Sequence, residues 1–360
     1  MDIKKNRLKL LDLFSGCGGL SYGFLLAGYD VLFGVDNWQD SLDTFKLNHK
    51  HAKVELGDLS NLAPADFAKK HNIFPGEINI IAGGPPCQGF SISGKRNVQD
   101  PRNHLYTSFV AFVDYFKPEV FVMENVPNLV SMGNGLIKDK IIHDFEKAGY
   151  KVSHKILLAS LYGVPQNRRR VFFVGFRNGH EFKFPEETHS DSMFLKKTVT
   201  TYEAINDLVE DSVPDGTPYP TEALSEYQSW ARQGSNGIYN HEVIVHTEKT
   251  KEIIAMVPDG GNYKSLPKEL WTTRKVNIAW TRMNSRKPCF TIDTGHNHHF
   301  HYKWNRVPTA RESARIQSFP DTFHFCGNKA SQLKQVGNAV PPLLAYNVAK
   351  AIKSQIKIVK

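Results

Sequence analysis

Between residues 8 and 124 the chain alternates short, almost unbroken apolar runs with longer amphipathic ones, and this alternation restricts the fold more than any other feature. The runs are LKLLDLF (8–14), DVLFGVD (30–36), KVELGD (53–58), INIIAG (78–83) and VFVME (120–124). Each has the length of a β-strand, and a strand with so few polar positions is one buried on both faces. Helical patterns lie between them, as in LSYGFLLAG (20–28) and LYTSFVAFVDYFK (105–117). Such strand–helix alternation predicts an α/β fold: a mixed, mostly parallel sheet with helices on both faces. SHKILLAS (153–160) and RVFFVGF (170–176) would complete the sheet with an antiparallel edge.

From about residue 185 the texture changes. Turn residues become frequent, periodicity weakens, and basic and aromatic side chains crowd stretches such as IAWTRMNSRKPCFTIDTGHNHHFHYKW. This predicts a smaller, irregular, β-rich second domain over 189–333, with 1–188 and 334–360 forming a discontinuous first domain. Helical periodicity returns in TARESARIQ (309–317) and PPLLAYNVAKAIKSQI (341–356). Lys and Arg exceed Asp and Glu by 45 − 36 = 9, and the sequence pI is about 9.2. That balance favours a polyanionic partner and says nothing about fold. No apolar stretch approaches the length of a membrane span, and MDIKKNRLKLLDLF lacks a signal-peptide cleavage region. Cys17, Cys87, Cys289 and Cys326 form no C-x-x-C pair, which argues against a disulfide framework or a structural zinc site. A cytoplasmic protein with reduced thiols is expected.

LLDLFSGCGGLSYGF sets a glycine-rich turn between a strand and a helix, where a backbone can approach a ligand closely. Counted as G-x-G-x-x-G from Gly16, the third glycine is Ser21, so the dinucleotide fingerprint is imperfect. Asp36 ends the next strand 36 − 16 = 20 residues later, where an acid binds ribose hydroxyls. NAD, FAD and S-adenosylmethionine share that logic, and the loop alone leaves all three open. Asp58, in GDLS, ends another strand and can meet an adenine amino group.

In an open parallel sheet the loops at the carboxyl ends of the strands line the ligand crevice. Cys87 in GGPPCQGFS follows one strand end, Glu124 in VFVMENVP follows the next, and Arg168, Arg169 and Arg170 in VPQNRRRVFF precede a later strand. A thiol, a carboxyl and a guanidinium on separate loops of one sheet edge are a catalytic constellation rather than three incidental side chains.

Here the residues meet a known family. The chain resembles the cytosine-C5 DNA methyltransferases, in particular the modification enzymes of bacterial restriction systems. DLFSGCGG is similar to their cofactor loop, GGPPCQGFS to their nucleophile loop, ENV and QNRRR to their acid and arginine motifs. RESARIQSFPDTF and QVGNAVPPLLA are similar to their two C-terminal motifs, all in the family's order. The resemblance implies a Rossmann-like, S-adenosylmethionine-dependent methyltransferase fold. It implies cofactor contacts at Phe14, Gly16, Gly18, Gly19, Asp36, Asn37, Asp58, Leu59, Pro86, Leu105, Asn338 and Ala339. Asn37 departs from the aromatic or hydrophobic residue common there. Catalysis would rest on Cys87 adding to C6 of cytosine, Glu124 at N3 and the exocyclic amine, and Arg170 at O2, with Arg168 supporting the loop. The base must leave the duplex to be reached. QGFSISGKRNVQDPRN (88–103) is similar to the family's mobile loop, with Gln88, Ser91, Lys95 and Arg96 as DNA contacts.

The second domain would read the major groove, with Arg274, Arg282 and Arg286 as candidates and Asn284 beside them. HNHHFH (296–301) has the wrong spacing for a metal site, and none is expected. Arg311 and Arg315 are expected to organise a helix and turn. The implied enzyme works as a monomer on double-stranded DNA in the cytoplasm, at the nucleoid. A cognate restriction endonuclease would belong to the same system without being a stable subunit. Three alternatives stand beside this. Cys289-Phe290-Thr291 matches a motif of the tRNA-methylating branch of the family, although Gly89 replaces the proline usual there. A nicotinamide oxidoreductase would explain the glycine loop alone, and a non-catalytic DNA-binding module the charge alone.

Overall fold

The structure, a computed structural model, describes residues 7–86, 103–271, 280–292, 295 and 298–359, the side chains at 103–104 and 357–359 excepted. The chain divides into two compact units, one of Met1–Leu158, Arg169–Glu186 and Leu344–Lys360, the other of Ala159–Arg168 and Glu187–Leu343. Residues 159–168, 187–188 and 334–343 thus fall with the second unit, although the sequence pattern groups them with the first domain.

The first unit follows the alternation closely. β1 (Lys9–Leu13), α1 (Gly19–Leu26), β2 (Asp30–Asp36), α2 (Gln39–Asn48), β3 (Lys53–Leu56), α3 (Pro64–His71), β4 (Ile80–Gly83), α4 (Asn103–Phe116) and β5 (Val120–Asn125) succeed one another. After β5 come α5 (Leu136–Lys147) and β6 (Lys151–Leu158), then the two-residue β7 (Gln166–Asn167) of the second unit, then β8 (Arg169–Phe176). The sheet runs β3-β2-β1-β4-β5-β8-β6. Its first five strands are parallel, while β8 is antiparallel to both β5 and β6, which is the expected antiparallel edge. β4 and β5 are buried along their whole length, because helices cover both faces. The core is rich in phenylalanine, with Phe121 stacked on Phe145 at 3.8 Å between ring centres. Truncating such a ring costs roughly 3–5 kcal/mol. Strand order reverses between β1 and β4, so the loops after β1, β2, β4 and β5 gather at the switch point where open α/β sheets bind ligands.

The second unit differs from the β-rich expectation. Among the described residues its helices are α6 (Thr201–Ile205), α7 (Glu226–Arg232), α8 (Glu248–Ala255), α9 (Ala310–Ile316) and α10 (Lys329–Asn338). Its strands are only two residues each: β7, β9 (Thr281–Arg282), β10 (Cys289–Phe290) and β11 (His299–Phe300), paired β7 with β10 and β9 with β11. The turn-rich sequence lacks the alternation a longer ladder needs. Buried side chains bonded to backbone carbonyls do the organising instead. Thr309 and Glu312 form a capping box at α9, and Arg311 donates to the carbonyls of Tyr239, Pro320 and Phe323. A final helix, α11 (Pro342–Val359), belongs to the first unit from Leu344 onward.

Candidate active site

β1 runs into a turn whose backbone turns left-handed at Phe14 (φ 58°), Gly16 (φ 53°) and Gly18 (φ 91°). Holding a non-glycine residue there costs roughly 1–2 kcal/mol, and Phe14 recovers it by packing against the core. At Gly18 a Cβ would lie 2.4 Å from the His49 ring and 2.7 Å from that of Phe45, so the turn is closed on that side. At Gly16 a Cβ would meet nothing within 4 Å among the described residues, so the other side is open to them. The turn is pinned from within: Ser15 N donates to Val35 O at 3.0 Å and Gly16 N to Asp36 Oδ2 at 2.8 Å. Trp38 N donates to Asp36 Oδ1 at 3.0 Å. Burial pushes the Asp36 carboxyl above its ordinary range, against the pull of the Gly16, Trp38 and Asn37 N–H groups. Asp36 therefore braces the loop. A carboxylate has about four acceptor positions, which leaves it capacity for ribose hydroxyls.

Beneath the turn lies Asp12, the first residue of DLFSGCGG, to which the sequence analysis gives no role of its own. It is 1% exposed, its Oδ2 accepts the Ser21 hydroxyl, and its Oδ1 has no hydrogen-bond partner among the described residues. Burial pushes this carboxyl up to about 7; Ser21 opposes the shift and Asp36 adds to it. The available signal was a lone acid inside the apolar run LLDLF.

On the far side of the switch point, the antiparallel register sets Glu124 opposite Phe172 and Asn125 opposite Val171. The next residue of β8 is Arg170, and its Nε lies 2.8 Å from Glu124 Oε1, with the two side chains 15% and 11% exposed. Arg170 Nη1 also donates to Arg169 O at 2.7 Å. A Cβ at Gly84 would lie 3.1 Å from Glu124 Oε2, so glycine there lets the carboxyl overhang the loop after β4. Asn125 donates through Nδ2 to Pro85 O at 2.8 Å and fixes that loop two residues ahead of Cys87. Acid, arginine and the approach to the thiol are thus built from adjacent strand ends.

A family model for the C-5 cytosine-specific DNA methylases matches residues 8–354. The chain belongs to that family. Relatives agree along nearly the whole length. Type II methyltransferase M.DdeI of Desulfomicrobium norvegicum is 38% identical, over 96% of this chain and 88% of its own. Type II methyltransferase M1.HphI of Haemophilus parahaemolyticus is 36% identical, over 96% and 86%. A solved structure of a prophage-encoded E. coli protein, described as a DNA modification methyltransferase, superposes with TM-score 0.79 at 27% identity, covering 97% of this chain and 99% of that one. The protein is a DNA cytosine-5 methylase.

Within the methylase, the other residues singled out by sequence take varied places. Asp58 is exposed and accepts from Ser60 N at 2.9 Å, while Leu59 is buried in the core. Pro86 and Asn37 are exposed and Leu105 half-buried. Arg168, Asn338 and Ala339 fall in the second unit. Arg168 is buried and donates to Gly337 O at 2.9 Å, so it holds the end of α10 next to Asn338. Gln166 of the same motif is buried and bonded to Gln317, whose amide donates to Ala339 O. Gly19 opens α1. Cys87, Gln88, Ser91, Lys95, Arg96 and Arg274 lie outside the described residues.

Arg282 corrects the expectation that it contacts DNA. It is 4% exposed and donates to the carbonyls of Val257, Ile254, His301 and Trp304 and to Asn305 Oδ1, all within 2.6–3.0 Å. A guanidinium with its donors so engaged has nothing left for a base edge. Arg286 is exposed, as a groove contact requires. Cys289 is buried in β10, where burial pushes its thiol far up, while Phe290 is half-buried and Thr291 exposed. His301 stacks on Trp304 and accepts the N–H groups of Lys303 and Trp304 through Nδ1, a packing role.

Proposed function

We propose that the methylase uses S-adenosylmethionine to methylate C5 of a flipped cytosine in a specific double-stranded DNA sequence, through a covalent bond between Cys87 and C6. The observation that carries this is the Glu124–Arg170 pair at the ends of β5 and β8, set over Gly84 and the Pro85–Pro86 approach to Cys87. Cytosine C5 is too electron-poor to take a methyl group unaided. The Cys87 thiolate forms a bond to C6, which makes C5 enamine-like. Glu124 holds N3 and the exocyclic amine through a shared proton, and Arg170 holds O2, so charge building on the ring is met by both. S-adenosylmethionine, when bound, would supply an electrophilic methyl on its sulfonium, with a neutral thioether as the by-product. The C5 proton then departs to a base, and the C6–sulfur bond breaks to return the thiolate. The pinned turn suits an adenosine ligand, with its open side at Gly16, Asp36 at the end of β2 and Asp58 exposed after β3.

Residues 189–333 serve as the target-recognition region, with Arg274 and Arg286 as groove contacts and Lys95 and Arg96 on phosphates. The methylase protects host DNA as the modification partner of a restriction endonuclease. Duplex DNA carrying 5-fluorocytosine in place of the target cytosine tests the core of the proposal. The wild-type protein should become covalently attached to it, and Cys87→Ser should not; an adduct that persists in Cys87→Ser would overturn the nucleophile assignment. Bisulfite sequencing of host DNA with and without expression gives the site and the modified base.

A further inference from the structure

Two rings at the end of α2 lie behind the glycine turn, on the side away from its opening at Gly16. Phe45 is fully buried and sits between glycines of two different elements. A Cβ at Gly34, in β2 and two residues before Asp36, would lie 2.6, 2.7 and 2.8 Å from Cζ, Cε1 and Cε2 of the Phe45 ring. One at Gly18 would lie 2.7 Å from Cδ2 of the same ring. Gly18 also needs glycine for its left-handed backbone, whereas Gly34 has no positive φ, so its missing side chain makes room for Phe45. His49, just past the end of α2 and 3% exposed, lies flat against Phe45, with ring centres 4.2 Å apart and planes at 21°. Its backbone N–H and its Nδ1 are both 2.9 Å from Phe45 O, and a carbonyl only accepts, so the ring carries its proton on Nδ1. Burial pushes the imidazole down to about 4, so it packs as a neutral ring. A Cβ at Gly18 would lie 2.4 Å from its Cε1. Phe45 thus meets bare backbone at both Gly18 and Gly34, and a shift of the ring passes directly to the turn or to the strand.

We infer that Phe45 and His49 are positioning residues for the adenosine ligand: they set the distance between the Gly18 turn and Asp36, and through it the fit of the adenosine. The inference rests on the proposed use of S-adenosylmethionine. Neither side chain has to touch the ligand. When the ring is shortened, a glycine on each side lets the backbone settle into the space. A displacement of about 1 Å in a positioned site can cost about a hundredfold. The adenosine is remote from the reacting methyl and is held alike before and during transfer. Its loosening therefore falls on affinity and KM and spares kcat. Rings that served only as core filler would cost stability when replaced and leave affinity alone.

The experiment is calorimetric titration of the full-length protein, without DNA, with S-adenosylmethionine and S-adenosylhomocysteine, paired with urea unfolding and steady-state transfer. Phe45→Leu and Gly34→Ala should each weaken binding about tenfold, equally for the two ligands because they share the adenosine, with KM for S-adenosylmethionine rising and kcat within about twofold. In the double variant the added methyl occupies space the shortened side chain leaves, so affinity should return to within about threefold of wild type. His49→Ala should weaken binding about fivefold, and His49→Phe, which keeps a flat ring against Phe45, should recover most of it. The His49 pair carries the test alone if a Phe45 variant does not fold. Variants that lose stability and still bind both ligands as the wild type does would overturn the inference and leave the cofactor in place. Losses of affinity that simply add in the double variant would overturn it too. A wild-type protein that binds neither ligand would overturn the cofactor reading itself.

Discussion

Arg170 and Arg315 both bond a carboxylate closely, at 2.8 Å to Glu124 and 2.6 Å to Asp321, in very different surroundings. Arg315, in the second unit, is wholly buried. It reaches Asp321 through Nε and Nη2, Asp207 through Nη1 and Nη2, and the Ala204 carbonyl through Nη1. Burial works against its charge, but Asp321 and Asp207 more than offset this and hold it above its ordinary range; Asp321 is held correspondingly low. Arg170 lies at a strand end in the first unit, and among the described residues its bonds are to Glu124 and to the Arg169 carbonyl. The comparison separates two uses of one side chain. A guanidinium whose donors are all engaged in the interior is part of the frame, whereas one left at a sheet edge beside an acid can meet a ligand. QNRRR sets a buried and a strand-end arginine within three residues, Arg168 donating through Nη2 to Gly337 O and Arg170 beside Glu124.

Substitutions can break or sharpen this contrast. The largest effect is expected for Arg315→Leu, which leaves Asp321 with only Arg311 and Tyr219 and Asp207 with only Arg232 and should cost about 3–5 kcal/mol in urea unfolding. A wild-type midpoint would mean that Arg315 is not part of the frame. Arg170→Ala should lower kcat about a hundredfold, or about 2.7 kcal/mol of barrier, at an unchanged midpoint. If instead the midpoint falls and kcat holds, the two arginines are of one kind. Arg282→Met should cost about 2 kcal/mol of stability with no change in the salt dependence of DNA binding, since its donors are internal. Arg286→Ala should do the reverse, reducing the salt slope by about 1 with stability intact.

The smallest expected change concerns Asp12→Asn and runs the other way. Burial pushes the folded carboxyl up from the ordinary 3.8 to about 7, so the folded chain holds a proton that the unfolded chain has lost between those values. Stability contributed at low pH is therefore lost as pH rises through that window. Asp12→Asn removes the loss, so its unfolding free energy should match wild type near pH 4 and exceed it near pH 8 by about 1–2 kcal/mol, with the melting temperature following. Equal melting temperatures at both pH values would show that Asp12 carries no burial penalty.

The same contrast explains what could be read from the residues alone. The sheet was legible because its strands are apolar runs at regular intervals, and Glu124 and Arg170 were legible as acid and base at strand ends. The second unit was much less so. Arg282 joins residues 254, 257, 301, 304 and 305, and nothing in the local pattern around TRMNSR distinguishes such a hub from a groove contact. Asp12 escaped notice for the opposite reason: one acid in an apolar strand is easily read as noise, and its meaning lies in Ser21 and Asp36 on other elements.

The last helix carries a consequence for the order of events in the cell. α11 buries Leu344, Ala345, Val348, Ala349, Ile352 and Ile356. It also receives the Tyr29 hydroxyl at Ala349 O at 2.9 Å, and Lys353 donates to Ala27 O at 2.8 Å. During synthesis, the glycine turn and the Glu124–Arg170 pair exist long before these bonds can form. The first unit must wait for the whole second unit to be made before its own closing segment arrives. Completion of the first unit is thus timed by translation itself, and a message cut short after residue 341 specifies a chain that lacks this closing segment.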